Sequence, residues 1–89
     1  MRKYEVYYED VLLGILEIND EEKYKFIKND SGVEQTKDKA CHIKEILIGT
    51  EEFVEPIPFF LNRVRNGERL GIKVINYQTD KYVLKLVEN

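Results

Sequence analysis

Cys41 and His42 have the widest chemical repertoire in this chain, and they stand side by side. A thiolate beside an imidazole is the pairing of a nucleophilic dyad. Adjacent residues point to opposite faces of a strand, or diverge by about 100° on a helix. The two side chains therefore do not meet easily. A structural zinc site needs about four ligands, and the chain has one cysteine and one histidine. The plain reading is a half-buried cysteine beside a surface histidine. The carboxylates run in groups, Asp20-Glu21-Glu22 and Glu51-Glu52, which suits a solvated face better than an acid–base pair in an apolar pocket. None of the five glycines falls into GxGxxG or GxxxxGK[ST], so no nucleotide cradle is visible. These residues predict no catalytic centre, no cofactor and no metal.

The basic residues offer a different chemistry. Arg63, Arg65, Arg69 and Lys73 lie close in sequence, with Phe59 and Tyr77 at either end of the stretch. Cations beside aromatic rings can hold phosphate or stack on bases. They can equally form a helix's solvent face and pair with the many glutamates. The net charge of −3 weighs against nucleic acid as the main target and leaves a protein partner ahead of it. Pro56, Pro58, Phe59, Asn62, Arg63, Arg65 and Arg69 make the candidate interaction surface. Phe59 and Phe60 are adjacent and cannot both face one core. Phe60 groups with Leu61 and Val64. Phe59 then packs under the prolines or stands beside the arginines, and an exposed aromatic beside arginine is a common interface composition.

Elements must position that stretch. Pro58 suits a first helical turn, and Gly67 stands where a helix stops. The spacing predicts one short helix near residues 58–66. Before it, Tyr4–Tyr8, Val11–Ile18 and Lys23–Lys28 read as three antiparallel strands, turning at Glu9-Asp10 and at Asn19–Glu22. Val11–Ile18 is apolar on both faces and is expected in the middle. Its alternation sets Leu12, Gly14, Leu16 and Ile18 against Val11, Leu13 and Ile15. Gly14 inside a strand marks a bulge or a close contact. Glu-Asp is a poor tight turn, because neither residue takes positive φ freely.

Asn29–Asp38 reads as a polar loop. A second helical segment is expected near residues 37–47, with Thr36 as its cap and Ala40, Ile43 and Leu47 on one face. A strand over residues 42–48 is the rival reading. Ile72–Tyr77 and Lys81–Val87 read as a second hairpin. The expectation is one α+β domain over residues 1–89, with a mainly antiparallel sheet of about five strands in two hairpin units.

Eighty-nine residues suffice for one domain and leave little room for a deep cleft. A hydrophobic fraction of 43% argues for a folded chain rather than a disordered one. A single cysteine forbids an internal disulfide and fits a reducing compartment. The longest apolar run, Val11–Leu16, is too short to span a bilayer, and Met1–Glu5 leads straight into strand-like sequence. These features predict a soluble, cytoplasmic protein with no membrane partner.

Two stretches carry a resemblance. Val6-Tyr7-Tyr8-Glu9-Asp10-Val11-Leu12-Leu13-Gly14-Ile15-Leu16-Glu17, followed by Tyr24-Lys25-Phe26, resembles the start of the N-terminal subdomain of HipA-type serine/threonine toxin kinases. Phe59-Phe60-Leu61-Asn62 with Gly67-Glu68-Arg69 is similar to that subdomain's phenylalanine-asparagine helix segment. Together they cover roughly half of the chain. Gly14 matches the family's hairpin glycine. Glu9-Asp10 departs from its usual asparagine-glycine turn, and Pro56-Ile57-Pro58 is at best a remnant of its leucine-proline segment. The kinase lobe has no counterpart here, so the resemblance implies no catalysis. It implies a bacterial toxin–antitoxin setting, with a small module that docks on a HipA-like kinase or restrains it.

Overall fold

A computed structural model describes residues 1–38, 49–54, 73–74, 77–78 and 81–88 of the protein. The class is α+β. Strands β1 (Arg2–Tyr8), β2 (Val11–Ile18) and β3 (Tyr24–Lys28) precede helix α1 (Asp30–Thr36). Strands β4 (Lys73–Val74), β5 (Tyr77–Gln78) and β6 (Tyr82–Glu88) follow. The main sheet is antiparallel and four-stranded, in the order β3-β2-β1-β6. The β1–β2–β3 meander has the expected order, and β2 lies inside the sheet. The helix expected near residues 58–66 lies outside the described residues, as does most of the segment at 37–47.

The first turn forms despite its residues. Tyr8 pairs with Val11, leaving Glu9-Asp10 as a two-residue connection. Glu9 takes φ 53°, a left-handed conformation that costs an ordinary residue about 1–2 kcal/mol. Lys81, just before β6, braces it. The Glu9 N–H donates to the Lys81 carbonyl at 2.8 Å, and Lys81 Nζ lies 3.3 Å from Glu9 Oε1. The second turn is organised by Asn19. Its Oδ1 accepts from the Glu21 and Lys23 amides at 3.0 and 2.9 Å, and its carbonyl accepts from the Glu22 amide at 3.0 Å. Glu22 takes φ 60°, and its carboxylate oxygens accept from Arg2 Nη2 at 2.8 and 2.9 Å.

The core lies on one face of the sheet. Val6 and Tyr8 of β1, Leu16 and Ile18 of β2, Tyr24 and Phe26 of β3, and Tyr82 and Leu84 of β6 are buried together. Tyr8 and Tyr82 meet edge-to-face with ring centroids 5.2 Å apart, a favoured aromatic geometry. Leu13 joins this cluster, against the simple alternation that sets it opposite Leu16. The cause is a bulge. Val6 pairs with Gly14 but Tyr7 pairs with Leu12, so Leu13 is the extra residue. One inserted residue switches the facing of what precedes it. Gly14 beside the bulge also makes the close contact expected of it. A Cβ there would stand 2.3 Å from the Ile27 carbonyl oxygen and 2.8 Å from the Phe26 ring.

Two expectations are corrected. Asn29–Asp38 is not a loop; Asp30–Thr36 is helical. A polar heptapeptide containing glycine has little helical tendency of its own. Packing supplies it. The Asn29 amide donates to the Leu13 carbonyl at 2.6 Å, and Asn29 Nδ2 donates to the Leu12 carbonyl at 3.0 Å. A Cβ on Gly32 would stand 1.8 Å from that same Leu12 oxygen. Only glycine lets the helix lie this close to β2. Thr36 therefore ends a helix rather than starting one. It is 1% exposed, and its hydroxyl donates to the Gly32 carbonyl at 3.0 Å. The second correction concerns the second hairpin. Within 72–77, Lys73 and Val74 pair with Gln78 and Tyr77, as a separate two-stranded ladder. The last strand pairs with β1 instead.

Candidate interaction surface

The two faces of the main sheet differ in chemistry. One is the core. The other, set by the strand register, carries Lys3, Glu5 and Tyr7 of β1, Leu12, Ile15 and Glu17 of β2, Lys25 and Ile27 of β3, and Val83 and Lys85 of β6. The register sets these residues in rungs. Lys25, Glu17 and Lys3 form one, an acid between two bases. Ile27, Ile15, Glu5 and Lys85 form the next. Leu12, Tyr7 and Val83 share a third. Opposite charges directly across a ladder attract, and the paired isoleucines pack on each other. Glu17 is 8% exposed, sheltered on the central strand between its lysine neighbours. Ile27 is 49% exposed.

Tyr7 on this face has two charged neighbours, Lys85 and Glu5. Lys85 Nζ sits 4.7 Å from the centre of its ring, a cation–π distance. Partial burial raises the Tyr7 phenol above its usual 10.0. The Glu5 carboxylate adds to this, by repelling a phenolate and by accepting from the hydroxyl. Tyr7, Glu9, Asp10, Val83 and Lys85 line a small depression of about 110 Å³. Near the β3 edge, Lys25–Lys28 and Gly49–Glu51 line a wider, open one of about 580 Å³. The chain at 50–54 runs beside β3 there. Tyr24 and Val54 exchange backbone hydrogen bonds at 2.9 and 2.8 Å. The Thr50 amide donates to the Phe26 carbonyl at 2.8 Å, and Thr50 Oγ1 accepts from the Phe26 amide at 2.6 Å. These bonds occupy the edge groups of Tyr24 and Phe26 that would otherwise be open to another strand.

Pro56, Pro58, Phe59, Asn62, Arg63, Arg65 and Arg69 lie outside the described residues, as do Cys41 and His42. Of the basic stretch, Lys73 is placed at the start of β4. Among the described residues no group of three metal-ligating side chains occurs, and no helix is long and apolar enough to cross a membrane. The rung of Ile27 and Ile15, and Lys85 above Tyr7, were not singled out from sequence. Alternation in β3 puts Ile27 opposite Tyr24 and Phe26 and could have found it. The contact between Tyr7 and Lys85 depends on strands from opposite ends of the chain, and local pattern gives no sign of it. No family model, no curated protein and no solved structure matches the chain.

Proposed function

We propose that this chain is a non-catalytic protein-interaction module, similar to the N-terminal subdomain of HipA-type kinases. Its partner on this reading is a protein, with a kinase toxin as the leading candidate. The observation that carries it is the order of the first three strands. A strand, a two-residue turn, a glycine-bearing strand and an aromatic strand form one antiparallel meander, with Gly14 at a close backbone contact. That is the order on which the resemblance rests. The contact surface on this reading is Pro56–Arg69, where prolines, Phe59 and the arginines coincide in sequence.

The test is capture from native lysate with the purified chain, followed by mass spectrometry. The expected result is one co-purifying protein with a kinase fold, retained by wild type. Phe59→Ala and Arg63→Glu should each reduce its recovery at least about tenfold, the effect of losing roughly 1.4 kcal/mol at an interface. Circular dichroism should show both variants folded. Retention of nucleic acid alone, falling steeply with salt, would instead favour a nucleic-acid-associated regulator acting through Arg63, Arg65, Arg69 and Lys73.

A further inference from the structure

We draw no further inference here: the strongest candidate, the sheet face opposite the core around Ile15 and Ile27 with the open depression beside β3, carries nothing because nothing in the structure shows what covers it.

Discussion

Asn19 holds the β2–β3 connection with one side-chain oxygen. That oxygen accepts from two amides, Glu21 and Lys23, in a turn whose Glu22 sits at positive φ. Asn19→Ala removes the acceptor and leaves both amides to water. The expected loss is about 1 kcal/mol, because an exposed turn lets solvent replace part of each bond. Asn19→Asp keeps the oxygen and should lose less than half as much. The midpoint of urea unfolding, at unchanged slope, reads both. Tyr7 gives a prediction in pH. Its phenol is raised by partial burial and by Glu5, so the unfolded chain gives up this proton first. The resulting stability is present below the usual tyrosine pKa of 10.0 and is lost as pH rises through the higher folded value. Tyrosinate absorbance should show a late-titrating phenol that is lost in Tyr7→Phe. Glu5→Gln should bring it part of the way back toward 10.0 and not all of it, because burial, the larger cause, remains.

At the scale of elements, α1 exists because β2 accepts it. Asn29 ties the helix start to the Leu12 and Leu13 carbonyls, and Gly32 permits the approach. Gly32→Ala should therefore destabilise, although alanine is the better helix former. The steric term of about 1–3 kcal/mol for overpacking exceeds the gain of about 1 kcal/mol in propensity. Gly14→Ala should destabilise by a similar amount. Its Cβ would meet the Ile27 carbonyl oxygen, which is backbone and cannot swing aside. Thermal and urea unfolding of the two variants check this; a stabilised Gly32→Ala would mean that the helix does not pack as described. The same contrast explains what the sequence made legible. The meander could be read because its strands pair with neighbours across short turns. The helix could not, since Asp30–Thr36 lacks an apolar stripe and owes its form to contacts with β2. Simple alternation sets Leu13 on the wrong face because it has no term for a bulge.

At the scale of the molecule, β6 closes the sheet against β1, joining the two ends of the described chain. This pairing is far apart in sequence, and nothing in either strand's pattern names its partner. Local pattern alone joins the last strand to the one just before it. The sheet presents a core face and a face of alternating charge with exposed Ile27, while the seven residues proposed to make contact were read from sequence alone. The claim at this scale is that the chain acts by binding a protein. The most direct measurement is capture from native lysate with and without nuclease, across a series of salt concentrations. The expected result is one protein in near-stoichiometric amount, retained after nuclease treatment and depleted by Phe59→Ala or Arg63→Glu. Recovery of nucleic acid alone, abolished by nuclease and falling steeply with salt, would contradict it.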